Sequence, residues 1–162
     1  MSYHFGICEW SLPVSGPLAI RFAAVAGAEG IQLGEAGGRA MGYPLNHPRV
    51  QAAYLEEAQT RGVTLHSLNL GALLGEGTLN YAADTAQGTC ARESLANGFA
   101  VCCGMSIPVI VITVEPKNED AFRNVVSHLR FAEELAAESG VEIAVESAQP
   151  LPEIQRLFEQ LA

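Results

Sequence analysis

Positive charge is scarce in this chain of 162 residues. Nine Lys and Arg, only one of them lysine, stand against eighteen Asp and Glu, a formal net charge of -9. Such a surface repels phosphate backbones, so general nucleic-acid binding is not expected. No run approaches the roughly 20 consecutive apolar residues of a membrane span. The opening MSYHFGICEW has no basic region ahead of an apolar core, so it does not read as a signal peptide, and a cytoplasmic location is expected. The four cysteines, Cys8, Cys90, Cys102 and Cys103, have no CxxC spacing and suggest no disulfide framework; they are expected to be reduced and mostly buried. The four histidines form no HExxH or paired-ligand spacing. The glycine-rich stretch GEAGGRAMGY (34–43) is neither GxGxxG nor a phosphate loop, and SGPLA is not a nucleophile elbow.

What is present is apolar and periodic. Hydrophobic residues make up 49% of the chain and charged residues 17%, enough for one folded domain over residues 1–162. Two periodicities alternate. YHFGICEW (3–10), GIQLG (30–34), VTLHSLNLG (63–71), SIPVIVITVE (106–115) and VEIAVES (141–147) read as strands. Between and after them lie helical patterns at 15–28, 47–62, about 82–103 with an interruption at Gly98, 118–140 and 152–162. Pro48 suits a first helical turn, Gly62 a stop and Asn118 a cap. Phe122, Val126, Leu129, Ala132 and Ala136 repeat at helical spacing.

Five strand–helix units of this kind indicate a parallel sheet with helical crossovers, an α/β fold. Two architectures satisfy the pattern: an open five-stranded doubly wound sheet, or a partial (β/α)8 TIM-type barrel. At about 32 residues per unit, eight units would need about 260, close to a complete barrel. The chain therefore supplies five-eighths of one, and is expected to be a truncated copy of a longer protein. Its first and last strands would then be open edges that invite self-association.

The last strand favours the barrel. In VEIAVES, Val141, Ile143 and Val145 form an apolar face, whereas Glu142, Ala144 and Glu146 point the other way. That second face would be the barrel interior, with Glu146 at the C-terminal rim, where ligands and catalytic groups cluster. A carboxylate there suits a divalent cation, with Mn2+, Mg2+, Co2+ and Zn2+ as the candidates. Other strand ends add substrate-binding candidates: Glu9 with Trp10, Glu35 after the second strand, and His66 and Asn69 in the third. Gly71, Gly75 and Gly77 would let a long loop fold over the site. Arg39 is a loose candidate for a phosphate contact. His47 is expected to mark a helix start, His4 to lie away from the catalytic end, and His128 to be mid-helix and exposed.

The ordered series FGICEWSLP, GAEGIQLGEAG, GVTLHSLNLG, SIPVIVITVEP and SGVEIAVESAQP resembles the N-terminal five units of a xylose isomerase-like barrel, of the sugar phosphate isomerase/epimerase kind. The resemblance implies a divalent metal held by acids and a histidine at the C-terminal ends of later strands. Glu146 stands where the family's fifth-strand glutamate is the first of these ligands; an aspartate, a histidine and a second glutamate would come from strands six to eight. A glutamate is common in the family's second strand, and this chain has Gln32 there.

The implied chemistry is proton transfer next to a sugar carbonyl, where a divalent ion stabilises the enediolate and a carboxylate acts as base. Three functions follow as expectations. The first is a metal-dependent isomerase or epimerase of a sugar or sugar phosphate, inactive as the isolated fragment. The second is another reaction on the same scaffold, polyol dehydration or abasic-site cleavage. The third is a non-catalytic binding or assembly domain.

Overall fold

Short runs of β-branched and apolar residues, closed by glycine or a polar turn, become five strands in the computed structural model, which describes residues 4–71, 73 and 77–162. They are β1 (Gly6–Cys8), β2 (Gly30–Leu33), β3 (Thr64–Asn69), β4 (Val109–Thr113) and β5 (Glu142–Glu146). Among the described residues five long helices alternate with them: α1 (Pro17–Val25), α2 (Pro48–Arg61), α3 (Ala86–Met105), α4 (Glu119–Ser139) and α5 (Leu151–Leu161). Tyr3 and Gly75, at the start of the first expected strand and in the expected loop over the site, lie outside the described residues.

The strands pair in parallel in the order β1-β2-β3-β4-β5. A doubly wound sheet reverses its strand order at an internal switch point. Here every strand adds to the same edge, and right-handed crossovers then place every helix on one face. Accordingly α1 packs on α2, α2 on α3, α3 on α4 and α4 on α5. The open doubly wound alternative is thereby excluded, and the sheet is an arc of a TIM-type barrel.

Ile31, Leu33, Leu65, Leu68, Ile110 and Ile112 point from the strands into the helical layer and are buried. The other face is concave and carries Gln32, Ser67, Asn69, Thr113, Glu142 and Glu146 beside Val109, Val111 and Ala144. A β-bulge interrupts the β2–β3 pairing: Ile31 faces Leu65, but Gln32 faces Ser67, so His66 is the extra residue. This irregularity turns both His66 and Ser67 inward and brings Asn69 to the concave side.

The first strand is shorter than the sequence pattern suggests, because Glu9–Ser11 turn into a 3-10 helix. Asn118 caps α4 as expected, its Oδ1 accepting from Ala121 N at 2.9 Å, and His47 occupies the N-cap position of α2. Gly98 does not interrupt α3. A Cβ there would come within 2.8 Å of Leu70 and 3.0 Å of Ile110, so glycine lets the helix lie close against the sheet. His128 is a correction: it is fully buried, its Nε2–H donating to Tyr81 O at 2.9 Å while its Nδ1 has no hydrogen-bond partner among the described residues. Of the cysteines only Cys102 is buried; Cys103 is exposed, and Cys8 and Cys90 are half-buried, so the expectation of mostly buried thiols is also corrected. Burial pushes the Cys102 thiol up to about 12.

The start of α3 sets a sharp steric requirement. Thr85 Oγ1 accepts from Gly88 N at 3.0 Å and donates to Ala82 O at 2.7 Å, folding the helix onto the preceding segment. A Cβ at Gly88 would lie 1.9 Å from Ala82 O, a backbone atom that has no rotamer with which to retreat. Gly88→Ala should therefore cost about 3 kcal/mol or more, read as a lowered urea midpoint at unchanged slope.

The flanks of the arc are not covered. On α1, Leu18, Phe22 and Val25 form an exposed apolar stripe at helical spacing, Val25 being 83% exposed. At the other flank α5 exposes Leu151 and Phe158. No helix among the described residues is long and apolar enough to cross a membrane.

Candidate functional site

The C-terminal ends of the strands converge on a cavity of about 430 Å3 lined by Trp10, Gly34, Glu35, Gly37, Asn69, Gly71, Thr113 and Glu146. It thus unites four candidates from the sequence, Trp10, Glu35, Asn69 and Glu146, and adds Thr113. Glu146 ends β5 directly opposite Thr113 in the parallel register. Thr113 Oγ1 donates to Glu146 Oε2 at 3.3 Å, and Asn69 Nδ2 reaches the same oxygen at 3.4 Å from one strand further away. Two donors from two strands orient one carboxylate oxygen; among the described residues Oε1 has no hydrogen-bond partner.

The curvature of the sheet brings its two edges face to face across this space. Cys8 on β1 has its thiol pushed up first by burial and then by the negative charge of Glu146, although three strands separate β1 from β5. Cys8 Sγ also donates to Gln32 Oε1 at 3.3 Å.

Glu9 sits differently from its neighbour Trp10. Its carboxylate is 7% exposed and is committed to three donors: Gly16 N at 2.9 Å, Gly34 N at 3.0 Å and the Tyr54 hydroxyl at 3.2 Å. Those donors come from the approach to α1, the exit of β2 and the middle of α2. Glu9 therefore ties together the loops that carry Trp10 and Glu35. Burial, followed by the Glu9 charge, raises the Tyr54 phenol above its usual range. A second cavity, of about 700 Å3, lies beside the first and shares Trp10, Gly34 and Gly37 with it; Glu9 and Tyr54 are part of its wall.

His66 does not join this group. Its ring lies over Gly6 and Gly30, where added Cβ atoms would come within 2.8 and 2.9 Å of it, at the N-terminal end of the concave face. Its Nδ1 shares a 2.8 Å hydrogen bond with the Ser67 hydroxyl. His4, at the same end, lies 2.6 Å from the Glu29 carboxylate. Thr113 was missed in the sequence because it sits one residue inside the expected end of an uninterrupted apolar run. Only its register opposite Glu146 marks it.

Burial holds both His66 and His128 below the ordinary histidine range. Both therefore take up a proton at lower pH in the fold than in the unfolded chain, which does so as pH falls through about 6.5. The unfolded state then binds more protons, so this part of the stability is present above that pH and is lost as pH falls toward the depressed folded values. Melting temperature should decline in a series from pH 7.5 to 5. His66→Gln should flatten part of that decline; an unchanged slope would show that His66 charges freely in the fold.

Among the described residues no group of three or more His, Cys, Asp or Glu stands together as a metal site. A hard divalent ion takes roughly six donors, so Glu146 with its two polar neighbours falls short of holding one alone.

No protein-family model matches the chain. It is 30% identical, over 165 residues, to a 2-epi-5-epi-valiolone 7-phosphate 2-epimerase of an Actinoplanes species, covering 99% of this chain and 58% of that protein. Among solved structures it superposes on a xylose isomerase domain protein from Planctomyces limnophilus with a TM-score of 0.73 at 11% identity, covering 99% of this chain and 60% of that one. It also superposes on a D-allulose 3-epimerase from a Methylomonas species, again with a TM-score of 0.73, at 16% identity, over 98% of this chain and 59% of that one. The chain thus spans well under two-thirds of the length of each of these proteins. Its fold is that of a xylose isomerase-like TIM barrel over five parallel β/α units.

Proposed function

We propose that this chain forms the first five β/α units of a divalent-metal-dependent isomerase or epimerase acting beside the carbonyl of a sugar or sugar phosphate. The observation that carries the reading is the convergence of Glu146, Asn69, Thr113, Trp10 and Glu35 on one cavity at the C-terminal rim of the arc. The similarity to an epimerase of a phosphorylated cyclitol supports the reaction class.

In this reading Glu146 supplies one ligand of the ion, and Asn69 and Thr113 fix its carboxylate so that Oε1 is free to bind. The remaining ligands would come from residues outside this group, since among the described residues no three or more His, Cys, Asp or Glu stand together. The bound ion would polarise the substrate carbonyl. Trp10, 56% exposed, offers an indole wall for the C–H face of a sugar ring, and Glu35 an acceptor for a hydroxyl. Among the described residues no basic side chain lines either cavity, and the groups on offer there suit hydroxyl contacts. The same lack of bases argues against the abasic-site alternative. A cytoplasmic location belongs to the reading, supported by four free cysteines.

The test uses the protein expressed from its native gene, through its natural stop. In D2O with Mn2+ or Mg2+, a panel of ketoses, their phosphates and hydroxylated cyclic ketones is followed by NMR. Exchange of deuterium into the carbon beside the carbonyl, abolished by chelation, is the expected result. Absence of exchange for every compound, with binding retained, would instead favour the non-catalytic module.

A further inference from the structure

The positive charge absent from the cavity is gathered elsewhere. Arg92, Arg123 and Arg130, three of the nine basic residues, line one outer groove of about 370 Å3 between α3 and α4. Val126, Ser127, Phe131 and Glu134 complete it. In a chain with twice as many acids as bases, arginines normally find carboxylates. Here only Arg123 does, pairing with Asp120. Arg130 donates to a neutral backbone carbonyl, Gln160 O, at 2.9 Å. Arg92 stacks over Phe131, 4.9 Å from the ring centroid, and makes no hydrogen bond or ion pair among the described residues. Its Nε is buried without a partner.

Two guanidinium charges thus remain uncompensated in one concavity, with a serine hydroxyl beside them and a single acid, Glu134, in the wall. Guanidinium forks match the oxygens of a tetrahedral anion, and stacking on an aromatic ring pre-orients the fork at little further entropic cost. The ring contact holds Arg92 in place while leaving its terminal nitrogens free.

We propose that the α3–α4 groove binds a phosphoryl group, either as inorganic phosphate or on a small phosphorylated metabolite. The site lies on the helical side of the sheet, away from the strand-end cavity, and does not depend on the reaction assigned to that cavity. Its volume accommodates a sugar phosphate, and its charge selects the dianion over a neutral sugar.

The test follows backbone amide shifts of the chain at pH 7.5 during titration with inorganic phosphate and, separately, a hexose 6-phosphate, each at ionic strength matched with chloride. Saturable shifts centred on residues 92, 123, 127 and 130 are expected. Arg130→Gln, at an exposed position, should weaken them about tenfold, and Arg92→Gln with Arg130→Gln should remove them. Arg49→Gln, which deletes the same charge outside the groove, should leave them intact. Tighter binding of the hexose phosphate would identify a metabolite as the ligand, and equal binding would identify phosphate itself; both support the site. Shifts that do not saturate, that chloride reproduces, or that Arg49→Gln weakens as much as Arg130→Gln would overturn it.

Discussion

Replacing Glu146 by alanine in the protein expressed from its native gene is expected to lower turnover by about a thousandfold, the scale of losing a metal ligand rather than an orienting neighbour. Thr113→Val and Asn69→Ala should each cost about ten- to a hundredfold, because they act through Glu146 Oε2 and leave the ligand itself in place. The ordering of these effects is the informative part. Equal losses for all three would point to substrate contacts instead. A second readout needs neither metal nor substrate. The Glu146 charge raises the Cys8 thiol, so Glu146→Gln should lower that thiol's pKa and shift its alkylation profile to lower pH. An unmoved profile would mean that β1 and β5 do not face each other across the cavity as described.

The second large effect concerns Glu9. Glu9→Ala removes the acceptor for two backbone amides and the Tyr54 hydroxyl at a site almost closed to water. Leaving such donors unpaired should cost about 3–5 kcal/mol, measured by urea unfolding. Tyr54→Phe removes one donor from a carboxylate that keeps two others, and should cost about 1 kcal/mol. Glu9→Gln is the discriminating variant. It preserves shape and one acceptor oxygen but turns an NH2 group toward a donor, so it should fall between the two. If Glu9→Ala proves nearly neutral, the three loops are held by packing, and the role of Glu9 as their tie is wrong.

Much of the fold was legible because its signals are local. Apolar runs such as SIPVIVITVE can be buried only between layers, and their alternation with helical stripes specifies parallel crossovers. Strand order is a non-local property that both an open sheet and a barrel arc satisfy at this level. The VEIAVES pattern favoured the arc because a polar face inside a sheet needs somewhere polar to point. The site was half legible for a related reason. Glu146, Trp10, Glu35 and Asn69 stand at strand ends, which periodicity locates well.

What escaped depends on register and on partners. Strict alternation from Leu65 would turn Asn69 toward the helices. The bulge at His66 restores it to the concave face, and no residue in HSLN announces that shift. The tying role of Glu9 escaped because its three donors lie 7, 25 and 45 residues away in sequence. His128 looked exposed because its acceptor is a backbone carbonyl, Tyr81 O, that sequence does not mark.

The neighbour-to-neighbour order of the sheet has a kinetic consequence. Each strand pairs with the one synthesised just before it, so no long loop must close before a pairing can form, and contact order stays low for a parallel sheet. A nascent chain can therefore add one unit at a time to a growing edge as it leaves the ribosome. At each stage the freshly made strand is the adhesive one, while β1 and the Leu18–Phe22–Val25 stripe wait from the first unit onward. A pause in synthesis would expose both sticky ends together, which makes translation rate, as much as equilibrium stability, a determinant of soluble yield.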